Sequence, residues 1–566
     1  MLASNRLPLL RRPHLIIGWA LLAAVPVTFI AFRVVVASRN IAFWDEFDSV
    51  LALVLRLDGG VGWRELIERL FQLDSEHRTV TSRLIVAAGY GLTGTVNFDA
   101  ICAIGNLTLV GLCAILLTSV PTVERRVRLG VVLAFGLFHL ESYETFFWSG
   151  ASIDHFMVLM FAGGAIAGIA QGSRVTLAGA GLFGLLGTFT LAHGCAIWPI
   201  GAVMLWRAGR PRRLLAWGAL AAVTLLIYFH GFQIEAAHRV SDFSPAGLAR
   251  LVQYWLALLG GPLTFGVRSV APAFGLVLLA LLGWLGFRGM GKRSPVVMAM
   301  AVFAVASLAL IALGRLQVAG PQIQSRYLII GSLAWSLAVF MLIDQHTRAN
   351  RPFRLLAWCL PAIVAFNVAA NIQSAHDTEA FLWSRDYAAV RFKQYGEEGH
   401  AGPFRLHPDK GRARAVLAQT TARGIYTLPR LCHLVTVAAP KPSPAMVTYV
   451  TDLTVNNRMV GFEGWAMLPG QRSKPGQVHV VLKSEKSFLV FSTFGVARPD
   501  VAKAFKQPLW QHCGYNFVLA RRHLPAENFQ VGLLINDGDR SELKMTEHWI
   551  RLSPSAAKAS SLATGE

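Results

Sequence analysis

The sequence predicts a polytopic α-helical membrane protein of about eleven transmembrane helices, followed by a water-soluble β-sandwich. Three observations carry that reading. The chain has 566 residues, is 54% hydrophobic and has a mean hydropathy of +0.47. Apolar runs of roughly 15–23 residues, enough to cross a ~30 Å hydrocarbon core, recur up to about residue 372. Beyond that point charges are frequent, and from about Ala445 short alternating segments such as MVTYVTDLTV and FQVGLLIND take over, the pattern of strands with one face in a core.

The formal charge of +21 at pH 7 could suggest a nucleic-acid partner. The arginines, however, sit mostly in short loops beside apolar spans. There they fix topology and meet anionic head groups, so no nucleic acid is expected.

Taken in order, Arg6, Arg11 and Arg12 precede an apolar run from about Leu15 to Ala37, which reads as a signal anchor with its N-terminus inside. The loop of residues 39–83 then faces outside. A second span at about Asn97–Val120 ends inside at Glu124, Arg125, Arg126 and Arg128. The third runs to about Leu140 and emerges into ESYETFFWSGASIDHF; the fourth, about Ser152–Ala170, returns to Ser173 and Arg174. The fifth rises to His193, a short sixth at about Cys195–Trp206 descends to RAGRPRR, and the seventh, about Leu214–Phe229, ends outside at YFHGF. Residues Leu248–Gly261 are apolar but short and read as an interfacial or re-entrant helix. Spans at about Val270–Gly286, Pro295–Gly314, Leu328–Leu342 and Leu355–Ala370 complete the set. They place Arg288, Lys292, Arg293, Arg348, Arg351 and Arg354 inside and the tail outside.

The expected division is a transmembrane domain over 1–372, a mostly helical connector over 373–440, a β-sandwich over 441–555 and a disordered end over 556–566. Cys102, Cys113, Cys195 and Cys359 lie in apolar spans and read as packing residues. Cys432 and Cys513 lie in the tail and could pair in an oxidising compartment.

The chemistry concentrates in the first outer loop. FWDEFDSV and LDSEHRTVTSR bring Asp45, Glu46, Asp48, Asp74, Glu76, His77, Arg78 and Arg83 between two apolar spans, a costly place for ionisable groups without a function. A carboxylate can take the proton of an attacking hydroxyl, which makes Asp45 and Glu46 the catalytic candidates. Adjacent acids also suit Mg2+ or Mn2+. On an extended segment the two would point to opposite sides, one working and one held by an arginine. His77, Arg78 and Arg83 offer cationic donors to a phosphate. The alternative is a solvated loop whose charges pair among themselves.

Other outward segments supply Tyr143, Glu144, Trp148, Asp154, His155, His193, Tyr228, His230, Arg315, Gln322, Ser325, Arg326 and Tyr327. Aromatics beside acids and amides suit a sugar ring, stacked on one face and hydrogen-bonded at its hydroxyls. Trp44, Glu76, Glu144, Trp148, His155, His193, Tyr228, Arg315 and Tyr327 are therefore the substrate-binding candidates, and Arg326 joins the phosphate set. Plainer readings exist. Trp148 and Tyr327 also suit the interfacial aromatic belt, His193 and His230 suit helix ends, and Arg326 suits a snorkelling residue. The sequence has no tight metal-ligand cluster, phosphate-binding glycine loop or nucleophile elbow.

WDEFD, SEHR with the following SRL, YETFFWS, AHGCAIWP, YFHGF, ALLGGPL and GR…SRY, in that order over residues 15–372, resemble largely uncharacterised bacterial membrane proteins of the GT-C superfamily. That superfamily includes protein O-mannosyltransferases, oligosaccharyltransferases and the aminoarabinose transferase of lipid A. The resemblance implies an inverting glycosyltransferase of the bacterial inner membrane. It would use a polyprenyl-phosphate sugar and a periplasmic glycan, lipid or protein acceptor, with a cytoplasmic N-terminus and a periplasmic tail. Asp45 best matches the superfamily's loop acid, with Glu46 next; basic residues near the membrane would hold the donor phosphate, and metal dependence stays open. GFEGWAML, ARPDVAKAF and GYNF resemble a small β-sandwich attached to other carbohydrate-modifying proteins. Its role would be glycan contact or scaffolding, with Trp465, Arg498, Asp500 and Tyr515 as structural residues. Two other classes stand beside the enzyme: a transporter or flippase of lipid-linked sugars, and a non-enzymatic envelope-assembly protein.

Overall fold

The computed structural model describes residues 13–73, 77–233, 244–319, 322–346, 354–395, 406–429, 440–455, 459–474, 476–521, 524, 526–536 and 541–552. The chain divides into two compact units. One comprises Met1–Ser38 and Asp48–Ala375, the other Arg39–Phe47 and His376–Glu566.

The first unit is helical. Its elements are α1 (Pro13–Ala37), α2 (Ala52–Asp58), α3 (Trp63–Leu70), α4 (Val80–Thr93), α5 (Phe98–Thr118), α6 (Val123–Leu137), α7 (Tyr143–Phe147), α8 (Ser149–Gln171), α9 (Arg174–Thr188), α10 (Ile197–Arg207) and α11 (Pro211–Phe229). There follow α12 (Pro245–Gly260), α13 (Ala271–Phe287), α14 (Met290–Arg293), α15 (Pro295–Ala319), α16 (Ser325–His346) and α17 (Arg354–Tyr395), the last of which runs on into the second unit. Local chemistry sets several boundaries. Asn97 accepts the N–H groups of Asp99 and Ala100 at the start of α5, and Ser173 and Thr176 form a capping box on α9. Prolines open α11, α12 and α15, where a missing N–H is harmless, and Gly172 ends α8 with φ 73°.

Among the described residues, eight helices are long and apolar enough to cross a membrane: Ile16–Ala37, Phe98–Thr118, Ser149–Gln171, Pro211–Phe229, Arg268–Phe287, Pro295–Leu316, Ser325–His346 and Arg354–Ala375. The other three segments read as spans from sequence are helices too, but α6 and α9 have 15 residues and α10 has 11. Those lengths fall short of the ~20 residues that a ~30 Å core asks of a straight helix. The spans of α8 and α16 are mostly buried within the protein, whereas those of α1, α11 and α17 expose most of their apolar side chains, as lipid-facing helices do.

Small residues let the buried helices approach closely. A Cβ on Gly105 of α5 would stand 2.5 Å from the carbonyl carbon of Ser152 and 2.6 Å from the Ile153 nitrogen on α8. Gly136 of α6 leaves equivalent room for Ser336 of α16, and Gly260 and Gly275 do so between α12 and α13. The Asp344 end of α16 is fixed by charge. Asp344 is fully buried and accepts from Arg125 Nε at 3.1 Å and Nη2 at 2.9 Å, and from Arg128 Nη2 at 3.1 Å. Arg293 lies 3.2 Å away on its remaining side. This pins the start of α6 and the α14–α15 junction to the end of α16.

In the second unit, α18 (Lys410–Ala422) is capped by Asp409, which accepts the Arg412 N–H. The strands are β1 (Lys441–Pro442), β2 (Val447–Val455), β3 (Met459–Met467), β4 (Val478–Lys483), β5 (Phe488–Ser492), β6 (Phe494–Val496), β7 (Gly514–Ala520), β8 (Asn528–Asn536) and β9 (Ser541–Arg551), with α19 (Pro499–Ala504) after β6. They form a five-stranded sheet in the order β1-β9-β8-β4-β5 and a four-stranded sheet in the order β2-β3-β7-β6. Period-2 side chains of both sheets share one core, including Val460 and Phe462 of β3, Phe517 and Leu519 of β7, and Phe529, Val531, Leu533 and Ile535 of β8. Trp465 and Tyr515 are buried here, and Arg498 holds Asp500 through a bidentate fork. Cys432 and the segment 556–566 lie outside the described residues; Cys513 is a buried free thiol, pushed up to about 11 by burial.

Gly105→Ala should destabilise the first unit by about 1–3 kcal/mol, because backbone atoms rather than a flexible side-chain tip occupy the space. Thermal unfolding of detergent-solubilised protein should show a lower midpoint than the wild type.

Candidate functional site

At the N-terminal end of α16 the helix leaves backbone N–H groups without helical partners, and a carboxylate from another element meets them. Glu144 of α7 accepts the Arg326 N–H at 3.0 Å, while its own N–H donates to Ser325 Oγ at 3.0 Å. This reciprocal lock fixes Arg326 and Tyr327. The Arg326 guanidinium carbon then sits 5.4 Å from the centre of the Trp148 ring and 5.3 Å from that of Tyr327, within cation–π range of both.

The cluster extends through imidazoles. Tyr327 meets His155 edge-on at 5.6 Å between ring centres, and His155 stacks with His193 at 6.2 Å. His77, Arg315 and Arg326 all stand close enough to act on His155 through their charge. Tyr254 of α12 feels the same two arginines and donates its hydroxyl to the Gln322 carbonyl at 3.3 Å. His155 and His193 are 7% and 3% exposed. Among the described residues neither His155 Nδ1 nor His193 Nε2 has a hydrogen-bond partner. Burial pushes His193 down to about 4, so it is neutral and can both donate and accept. Sequence-predicted Trp148, His155, His193, Arg326 and Tyr327 thus come together, with His77 and Arg315 within electrostatic reach.

Two predicted phosphate ligands do other work. Arg78 donates from Nε to the Tyr228 carbonyl at 2.7 Å, from Nη1 to Phe71 and from Nη2 to His230, tying three chain segments. Arg83 donates to the carbonyls of Leu70 at 3.1 Å, Arg69 at 3.4 Å and Gln72, which caps the C-terminal end of α3 with a cation. Tyr228 is fully buried in a core with Leu70, Val80 and Phe189. Ser82 bonds Asp154, which docks α4 on α8. Glu76 lies outside the described residues.

The acidic segment Arg39–Phe47 belongs to the second unit. It is not extended: Trp44 has φ 51°, a left-handed conformation uncommon outside glycine. The turn separates the two acids by environment. Asp45 is exposed, whereas Glu46 is buried and accepts the Phe43 N–H at 2.7 Å. Of the two acids, Glu46 is thus the one tied back to the chain at Phe43. The segment is anchored by Trp44 N–H to the Leu406 carbonyl at 2.5 Å, by Ala42 N–H to the Tyr426 hydroxyl at 2.9 Å, and by Phe43 and Phe47 against Phe381 and His407. No group of three or more His, Cys, Asp or Glu among the described residues is arranged to hold a metal ion.

Sequence reading missed three groups. Arg385 is buried over the Phe381 ring that backs Phe43. His407 lines the acidic turn. Glu141, in the helical turn Leu140–Ser142, is 5% exposed, lies 3.8 Å from His139 and is pushed up to about 8 by burial. It stands three residues before Glu144 in GLFHLESYETFF, and nothing local in that stretch sets it apart from its polar neighbours. No family model, curated protein or solved structure matches this chain.

Arg78→Gln should lower stability by about 2–4 kcal/mol, since three carbonyls lose a charged donor at once, and Arg78→Lys should recover little because a point charge cannot span them. Unfolding midpoints of the two variants test this. Glu141 gives a pH signature. Its folded carboxyl stays protonated to about 8, so its contribution to stability is whole below its unfolded value of 4.5 and is lost as pH rises through 8. Glu141→Gln should remove that slope from unfolding midpoints measured across this interval. His139, which burial holds near 4, acts in the opposite sense and cancels in the comparison.

Proposed function

We propose that this chain is an inverting GT-C-type glycosyltransferase that moves a sugar from a polyprenyl-phosphate donor to a periplasmic glycan, lipid or protein acceptor. The observation that carries the reading is the cluster at the N-terminal end of α16. Aromatic faces, two buried imidazoles with uncommitted nitrogens and two guanidiniums meet at the mouth of membrane-spanning helices. A sugar phosphate on a lipid asks for that combination: ring faces to stack on, neutral donors and acceptors for hydroxyls, and cations for the phosphate.

In this reading Arg326, Arg315 and His77 hold the donor phosphate and stabilise it as it leaves, while Trp148, Tyr327, His155 and His193 receive the sugar. Asp45, the exposed acid of the turn in the second unit, is the candidate general base for the acceptor hydroxyl, whose oxygen displaces the donor phosphate with inversion. Glu46 keeps the turn in shape. The eight long helices together with α6, α9 and α10 make the eleven spans, with the N-terminus cytoplasmic. The two sheets of the tail pack as a periplasmic β-sandwich. The flippase alternative would spread charge along the spans, whereas here the sugar-compatible groups gather at one end of α16.

Purified protein in nanodiscs, supplied with a panel of polyprenyl-phosphate sugars with and without Mg2+ or Mn2+, should turn over one donor. Asp45→Asn should reduce turnover by about 10²–10⁴-fold with donor affinity nearly unchanged, and Arg326→Gln should weaken donor binding by about tenfold or more. Donor binding without turnover across the panel, indifferent to Asp45→Asn, would sink the enzyme and favour the flippase.

A further inference from the structure

The end of α16 opposite the imidazole cluster carries a second arrangement, independent of the transferase reading. Residues 119–130, 287–295 and 344–354 hold nine Arg or Lys residues and two acids, Glu124 and Asp344. The fold gathers three of those bases, Arg125, Arg128 and Arg293, onto the single carboxylate of Asp344. Glu124 adds its field at Arg128, so that, among the groups these contacts name, three guanidiniums face two carboxylates. Like charges gathered at low dielectric repel strongly and favour capture of an anion.

The geometry supplies a way in. The Arg128 and Arg125 side chains are 4% and 11% exposed and are held by Asp344 and, for Arg125, by Ser294. The Arg293 side chain is 45% exposed, so the cluster opens outward on that flank. Guanidinium forks match phosphate oxygens, and basic pockets between membrane helices are suited to phosphorylated head groups. We infer that the Arg125–Arg128–Arg293 cluster on Asp344 is a binding site for a phosphate oxyanion, carried by an anionic phospholipid or by a soluble phosphate. It is not the donor-phosphate site. Arg326 and Asp344 are eighteen residues apart on α16, about 27 Å at 1.5 Å per residue.

The test uses the full chain in zwitterionic phosphatidylcholine micelles and reads the thermal unfolding midpoint. One arm titrates phosphatidylglycerol; the other titrates inorganic phosphate against chloride at matched ionic strength. A saturable rise with phosphatidylglycerol alone identifies a lipid head group, and a rise with inorganic phosphate identifies a soluble ligand; either supports the site. Arg293→Gln, which keeps Arg125 and Arg128 on Asp344 and so preserves the fold, should weaken the response by about tenfold, and Arg293→Lys by about threefold or less. No response of the wild type in either arm, or an equal response of Arg293→Gln, overturns the proposal.

Discussion

A buried carboxylate fixes this membrane domain. Asp344 is fully out of solvent near the end of a helix that is itself mostly enclosed, and an isolated charge there would be prohibitively unstable. Its guanidinium partners come from the start of α6 and from the α14–α15 junction, so three helix ends must lie at one level. Sliding α16 by one turn would move Asp344 about 5.4 Å and leave both it and Arg128 uncompensated in a low dielectric. The ion cluster therefore sets register, whatever its net contribution to stability.

That register has a consequence at the other end of α16. The helix is 22 residues long, so about 33 Å separates its termini, close to the ~30 Å hydrocarbon thickness. With one end held at a basic interface, Arg326 and Tyr327 are carried to the opposite one. Glu144 then fixes their azimuth by capping the first turn. Two locks on one rod thus position the side chains that hold the imidazole cluster. The cluster itself departs from what stability alone favours: two imidazoles are almost fully buried with a nitrogen each left without a partner among the described residues. Such groups lower stability, so their accumulation at a single place asks for a reason beyond packing.

Long-range order was legible in the sequence where it follows from composition, and obscure where it follows from backbone partners. Runs such as Phe98–Thr118 and Pro295–Leu316 announce membrane helices because about 20 apolar residues have few other stable uses. The alternation of Phe529, Val531, Leu533 and Ile535 announces a strand for the same kind of reason. Trp148, His155, His193, Arg326 and Tyr327 were legible as a set because each sits at the mouth of a span and all were assigned to one side. Arg78 and Arg83 looked like the same kind of residue, yet they serve carbonyls, one of them at Tyr228, 150 residues away. A guanidinium shows its charge in the sequence but not its partner. Likewise, the sequence presents Asp45 and Glu46 as equivalents, and only the left-handed backbone at Trp44 distinguishes an exposed acid from one bound to its own turn. Glu141 was hidden by its surroundings, since its altered ionisation comes from burial that no local pattern encodes.

The distance along α16 also limits how the two proposed sites could communicate. An anion at the Asp344 end changes the N-terminal end only if it binds two arrangements of the helix with different affinity. The surroundings of α16 offer little room for a second arrangement. Gly136 admits Ser336 at a distance where even a Cβ would collide, and Gly331 faces the Leu258 carbonyl at 3.0 Å from where its Cβ would lie. Close-packed backbone contacts of this kind transmit position but resist sliding. An anion on the arginine cluster would thus be expressed as rigidity, through stabilisation of the one register that already exists, and the geometry at Arg326 and His155 is inherited from that register rather than adjusted by it.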